Sequence, residues 1–254
     1  ILRRVGGVRA GQLLSRFGDP QGVYEAGTAG WREILSDSVV EYMDRQKKSG
    51  NLEEEYHSLG EKQIGLVLQE EEGFPRKLLE IPDPPYGLFY KGKLPEQKQP
   101  SVAVIGAREC SEYGRFVAEE LGRYLGSQEI QVISGMARGI DGISQQAALL
   151  AGGTSYGVLG CGVDICYPSQ NRKLYEELIQ KGGLLSTYAP GTKALPAYFP
   201  PRNRIVSGLA DALIVIEARQ KSGTLITVDM ALEQGKDVYV VPGRITDRLS
   251  DGCN

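Results

Sequence analysis

Two hydrophobic periodicities divide this chain. Up to about Leu68, apolar residues recur at helical spacing between glycine-rich breaks: Leu13, Leu14 and Phe17, then Trp31, Ile34 and Leu35, then Val39, Val40 and Met43. This spacing predicts short helices, forming a small helical module over residues 1–68. Between Phe74 and Pro100 stand Pro75, Pro82, Pro84, Pro85, Pro95 and Pro100. A proline lacks the amide hydrogen and clashes with the preceding turn, so long helices are forbidden there, and residues 69–100 read as an irregular connector at a domain boundary.

After Pro100 the pattern changes to short, β-branched apolar runs: Val102 to Ile105, Ile130 to Ile133, Thr154 to Leu159, Leu184 to Thr187, Ala212 to Ile216 and Val238 to Val241. Helical segments fit between them. Continuous apolar strands joined by helix-length connections imply a sheet covered on both faces. The expected fold of residues 101–254 is therefore α/β: a Rossmann-like, doubly wound, mostly parallel sheet. In such sheets ligands bind beyond the carboxyl ends of the strands.

Composition narrows the function. The 254 residues are 41% hydrophobic, enough for one large domain and a small second one. A net charge of −3 argues against a surface coated for duplex DNA, so any nucleic-acid site must be local. Lys193 to Arg204 holds three cations and no carboxylate, and Arg219 and Lys221 follow. The acidic runs Glu53 to Glu55 and Glu70 to Glu72 read as solvated faces. His57 is the only histidine, and Cys110, Cys161, Cys166 and Cys253 are far apart, so neither a zinc site nor a Ser-His-Asp or Cys-His site is expected. No cofactor is expected either. No run reaches the ~20 apolar residues of a membrane helix, and the start lacks the pattern of a signal peptide, which predicts a cytoplasmic protein. The chain starts at Ile1 and stops at Asn254 just after a turn-like Leu249-Ser250-Asp251-Gly252, so both ends are expected to be trimmed.

The candidate chemistry lies at the strand ends. The first ends in Gly106-Ala107-Arg108 and the second in Ser134-Gly135-Met136-Ala137-Arg138-Gly139-Ile140-Asp141. A glycine at a strand-to-helix turn lets backbone approach a ligand, the helix behind it offers free N–H groups, and arginine adds a fork for phosphate. Glycines at such turns also serve the fold alone, but two Gly-Arg turns together favour phosphate. The third strand ends Gly160-Cys161-Gly162 without the third glycine of a dinucleotide fingerprint, which disfavours NAD. Asp164 to Pro168 with Asn171 reads as a structured loop whose path Tyr167-Pro168 fixes.

In Ala197-Tyr198-Phe199-Pro200-Pro201-Arg202-Asn203-Arg204, aromatics and arginines lie side by side. With a helix entered at about Arg202, three polar residues including two cations crowd the positive end of its dipole, a misfit that an anionic ligand relieves. Cations beside aromatic rings suit single strands, whose bases all have a face to stack on; core packing is the other use of Tyr198 and Phe199. Lys221-Ser222-Gly223-Thr224 opens the next helix with hydroxyls and N–H groups; capping is the more frequent use of Ser and Thr there, but the turn's place at the same sheet edge as the others favours binding. The last strand ends in Val241-Pro242-Gly243.

Taken together, Val104 to Arg108, Ser134 to Asp141, Tyr167-Pro168, Phe199 to Arg204, Ser222 to Thr227 and Val241 to Gly243 resemble, in order and spacing, the DprA/Smf (DNA-processing protein A) family. The resemblance runs from about Gly65 to the C-terminus. The N-terminal part, with Val5-Gly6-Gly7-Val8 and Phe17-Gly18, looks like the helix-hairpin-helix or SAM-like module of many members. Membership implies a non-catalytic homodimer that binds single-stranded DNA entering during natural transformation (competence), shields it from nucleases and loads a RecA-type recombinase in DNA recombination. The DNA-binding residues expected are Gly106, Ala107, Arg108, Ser134, Gly135, Arg138, Lys193, Tyr198, Phe199, Arg202, Asn203, Arg204, Lys221, Ser222, Gly223 and Thr224. The chain departs from the family at Gln145, where His is usual, at Thr187, where Glu is usual, and at Ser169 and Pro201, where a cation is frequent.

The competing reading is a nucleotide-binding enzyme similar to the nucleoside-monophosphate phosphoribohydrolases. Those carry Pro-Gly-Gly-x-Gly-Thr followed by a working glutamate. Here Leu225-Ile226-Thr227 follows the turn and no glutamate comes before Glu233.

Overall fold

The computed structural model describes residue 5 and residues 7–254; residues 1–4 and Gly6, assigned above to the helical module, lie outside the described residues. Contacts separate two units. One runs to Ile64 and includes Asp83–Tyr86; the other holds Gly65–Pro82 and Gly87–Asn254.

The first unit is helical: α1 (Gly7–Phe17), α2 (Pro20–Trp31), α3 (Asp37–Ser49) and α4 (Leu52–Glu61). Asp19 starts α2 by accepting the Gly22 N–H at 2.7 Å. The helical spacing converges on one core of Leu13, Val23, Trp31, Leu35, Val39, Val40 and Met43, with Leu14, Phe17 and Ile34 at its margin. The buried Trp31 indole N–H donates to the Val23 carbonyl at 2.6 Å, as a buried polar handle must.

The second unit carries β1 (Gly65–Leu68), β2 (Gly87–Gly92), β3 (Ser101–Gly106), β4 (Gln131–Ser134), β5 (Ser155–Val158), β6 (Gly183–Ser186), β7 (Ala212–Ile216) and β8 (Asp237–Val241). They form one sheet in the order β1-β2-β6-β5-β4-β3-β7-β8. The six strands from β6 to β8 are mutually parallel, and each lies within a residue of an apolar run read in the sequence. β2 runs antiparallel to both neighbours. Neither β1 nor β2 was expected. β1 occupies the end of the stretch assigned to the helical module, and β2 lies in the Pro-rich connector. Closely spaced prolines rule out a long helix, but an extended strand fits between prolines that flank it and do not interrupt its ladder.

Helices α5 (Glu112–Ser127), α6 (Ile140–Leu150), α7 (Arg172–Lys181), α8 (Phe199–Gly208) and α9 (Gly223–Glu233) follow β3 to β7. α5 packs on α6, α6 on α7, and α8 on α9. The chain steps outwards from β3 to β6 and then returns to β7 on the other side of β3. Crossovers of one hand therefore put α5, α6 and α7 on one face and α8 and α9 on the other. Val104, Val132 and Ile216 fill the core on the first face; Ala103, Ile133, Leu213 and Val206 fill it on the second. At the amino edge the Lys77 ammonium lies 2.7 Å from the Asp211 carboxylate, which also accepts the Ser101 N–H at 2.9 Å, fastening β3 to β7. Strand order reverses between β3 and β7, so the crevice for a ligand is at their carboxyl ends.

None of the described helices is long and apolar enough to cross a membrane. Among the described residues no cluster of three or more His, Cys, Asp or Glu could hold a metal, and the four cysteines are free.

Candidate functional site

At the switch point the Ala107 N–H reaches the Ile216 carbonyl at 3.4 Å, and the Ala107 carbonyl accepts the Ile140 N–H at 3.1 Å. The loop after β3 therefore lies on the start of α6. Gly139 permits this: its φ is +72°, and a Cβ would collide with the carbonyl oxygens of Ala107 and Arg108. The loop after β4 is fixed by side chains. Asp141 accepts the Gly135 N–H at 3.1 Å, Gln145 accepts the Met136 N–H at 3.2 Å, and Asn171 donates to the Met136 and Ala137 carbonyls at 3.0 Å each. Ser134 faces the interior and its hydroxyl donates to the Val104 carbonyl at 2.6 Å.

Helix α8 starts at Phe199, earlier than the sequence reading placed it. Pro200 and Pro201 take first-turn positions, where a missing N–H costs nothing. Arg202 then turns inwards instead of facing a ligand at the helix start. It is 6% exposed. Its Nη1 donates to the Gly135 carbonyl at 2.8 Å and to the Val158 carbonyl, and its Nε donates to Asn203 Oδ1 at 3.2 Å. A Cβ on Gly135 would sit 2.8 Å from both Arg202 Nη2 and Asp141 Oδ2, so a larger residue would have to displace one of these side chains. Burial pushes the Asp141 carboxyl up and the Arg202 guanidinium down, and each charge opposes the other's shift. Arg202 thus braces the ends of β4 and β5.

Two guanidiniums approach the Phe199 ring, with Arg108 Cζ 5.8 Å and Arg202 Cζ 5.6 Å from its centroid. Tyr167 lies 5.7 Å away, tilted by 31°. Arg108 and Tyr167 are exposed; Phe199 is half-buried. Next to it Tyr198 stacks on Tyr188 at 4.4 Å. Burial first, and then the Tyr198 phenol, push the Tyr188 hydroxyl up to about 12, so it stays a neutral donor, here to the Tyr198 carbonyl at 3.3 Å.

After β7, Ser222 stands at the N-cap of α9 without making a side-chain cap bond. Its buried hydroxyl has no partner, so the cap reading of this turn is not realised. Thr224 donates to the Gly106 carbonyl at 3.3 Å, joining the turn to the end of β3. The structure thus brings Gly106, Ala107, Arg108, Gly135, Phe199, Arg202 and Thr224 into one connected set, with Tyr198 and Asn203 beside it. Arg204 is half-buried, 3.5 Å from the Pro82 carbonyl. Arg138, Lys193 and Lys221 are exposed on loops leaving the same sheet edge, and Gly223 is exposed at the first position of α9.

A family model described as DNA recombination-mediator protein A matches residues 65–254. The chain belongs to this family. It is 45% identical over 181 residues to the DNA processing protein DprA of Streptococcus pneumoniae, covering 71% of this chain and 64% of the relative. It is 38% identical over 188 residues to the protein Smf of Escherichia coli, covering 74% and 50%. The chain spans between about half and just under two thirds of the length of these curated relatives. Among solved structures, S. pneumoniae DprA superposes with a TM-score of 0.84 at 35% identity, over 99% of this chain and 87% of that one. Helicobacter pylori DNA processing protein A, whose structure is described as giving insights into its single-stranded DNA binding mode, superposes at 0.66 with 29% identity, over 73% and 84%.

In this DprA-family chain the sequence reading missed several site residues. Tyr188, just after β6, was passed over. Asp141, Gln145 and Asn171 were quoted without a structural role. Glu217 directly follows β7 at the switch point with φ 56° and only 2% exposure. Its carboxylate accepts the Ser111 N–H at 2.9 Å and the Ser111 hydroxyl, anchoring the start of α5. Its place directly after an apolar run next to the switch was the available signal.

Proposed function

We propose that this chain binds single-stranded DNA along the carboxyl edge of its sheet and performs no catalysis. The carrying observation is the exposed Arg108 guanidinium set over the Phe199 ring at the switch point, a phosphate donor beside a stacking face. Arg108, Arg138, Lys193, Arg204 and Lys221 contact phosphates; Tyr198 and Phe199 meet bases; Asn203, Ser222 and Thr224 supply hydrogen bonds. Gly106, Ala107, Gly135 and Gly223 allow close backbone approach, while Ser134 and Arg202 act from behind. The single-strand binding mode described for the H. pylori relative supports the reading.

The absence of catalysis is supported by Glu217. It is a buried carboxylate directly after β7, and both its oxygens are engaged by Ser111, which leaves it not free for acid–base work. Family membership supports the wider proposals: protection of incoming DNA in transformation, loading of a RecA-type recombinase, a cytoplasmic setting, and an accessory helical module in the first unit. A homodimer is supported by Tyr239 and Val240, exposed on edge strand β8. The test is nuclease protection of a single-stranded oligonucleotide, with nucleoside-monophosphate hydrolysis followed in parallel. Protection without hydrolysis is expected; hydrolysis without protection would overturn the proposal.

A further inference from the structure

The face formed by α5, α6 and α7 carries a groove of about 500 Å³. Its apolar floor is made by Ile143, Ala147 and Leu174, and its edges hold Arg115, Arg123 and Lys173 against the single carboxylate Glu119. Arg115 and Arg123 are eight residues apart on α5, or ~12 Å along the helix. That separation lets the two guanidiniums meet different phosphates of one strand.

The groove is continuous with the sheet edge. Gly139 and Asn171 line its mouth. Gly139 is the residue on which the Ala107 and Arg108 carbonyls rest, and Asn171 holds the Met136 and Ala137 carbonyls. Its cations are accessible to a new anion. Arg123 pairs with Glu120, and Lys173 lies 3.8 Å from Glu177, with the Lys173 side chain 84% exposed; such exposed pairs hold weakly. Arg115 forms no ion pair among the described residues.

We propose that this groove takes the nucleotides that flank those bound at the sheet edge. A bound strand turns past Gly139 and follows α5 towards Arg123, its phosphates on the three cations and its bases over the apolar floor. Positive edges around an apolar floor, opening directly onto a phosphate site, match one polymer that is anionic along its backbone and flat-faced along its bases. The inference rests on the reading of the edge as a single-strand site.

The test is fluorescence anisotropy with oligothymidines of increasing length at fixed salt, comparing wild type, Arg108→Ala and the double variant Arg123→Ala/Lys173→Ala. The double variant should match wild type on the shortest oligonucleotide that binds and fall several-fold behind as length increases. Its salt slope should drop by about 1.4 on long strands only, at ~0.7 per lost single-strand phosphate contact. Arg108→Ala should weaken binding at every length. Equal affinity of the double variant and wild type at all lengths would overturn the groove assignment and leave the edge reading standing. A loss already complete at the shortest length would also overturn it. Failure of wild type to bind at any length would overturn both.

Discussion

The guanidinium carbon of Arg108 lies 5.8 Å from the centre of the Phe199 ring. A cation from the loop after β3 is thus set against an aromatic face from α8, at the point where strand order reverses. Arg108→Ala should weaken single-strand binding several-fold, to the same degree for all base sequences, because phosphate contacts carry no sequence information. Its salt slope should fall by about 0.7. A titration series over homopolymers checks this; a loss confined to one base would contradict it.

Phe199 should contribute through its ring face. Stacking is worth about 1–3 kcal/mol per base by alanine substitution, so Phe199→Ala should cost about five- to 150-fold in affinity. The ring also packs on Gly160, where a Cβ would lie 2.8 Å from it. Phe199→Leu separates the two roles: it should keep most of the thermal stability and still lose binding. Unchanged binding in Phe199→Leu would mark the ring as packing only.

Arg202 is predicted to matter for folding. Arg202→Met leaves the Gly135 and Val158 carbonyls and the buried Asp141 without their partner. Breaking a buried charge arrangement in this way costs about 3–5 kcal/mol. Urea unfolding should show the loss, and the salt slope of whatever binding remains should stay at the wild-type value.

The amino edge provides a pH prediction. Burial raises the Asp211 carboxyl, but bonds from Lys77 and Ser101 outweigh it and the net shift is downwards. A depressed folded-state value means stability that is present above the unfolded value of about 3.9 and lost as pH falls through the folded one. Asp211→Asn should therefore lower stability at pH 7, by no more than about 1 kcal/mol because the pair is partly solvated. The gap from wild type should close in acid. Denaturant melts from pH 7 down to pH 3 test this, and a gap of constant size would contradict it.

The inner parallel strands were legible because strands buried on both faces must be apolar throughout, and such runs stand out; β8, exposed at the sheet edge, was legible from its β-branched run alone. β1 and β2 were not legible. They sit beside helix-spaced or proline-rich sequence, and their place is set by antiparallel pairing of β2 with β6 and of β1 with β2, contacts between separate segments that no local pattern reports. The edge itself was legible from Gly-Arg turns and from aromatics next to arginines. What composition could not separate is which arginine faces out: Arg108 is exposed and Arg202 buried, a difference decided by the start of α8 three residues earlier than expected. The bracing roles of Gln145, Asn171 and Glu217 depend on loops meeting across the sheet edge, so sequence spacing carried little sign of them.

The most direct test of the central claim is anisotropy binding of the purified chain to matched single-stranded and duplex oligonucleotides across a salt series. The account predicts preference for the single strand, falling steeply with salt. Equal affinity for both forms, or binding indifferent to salt, would contradict it.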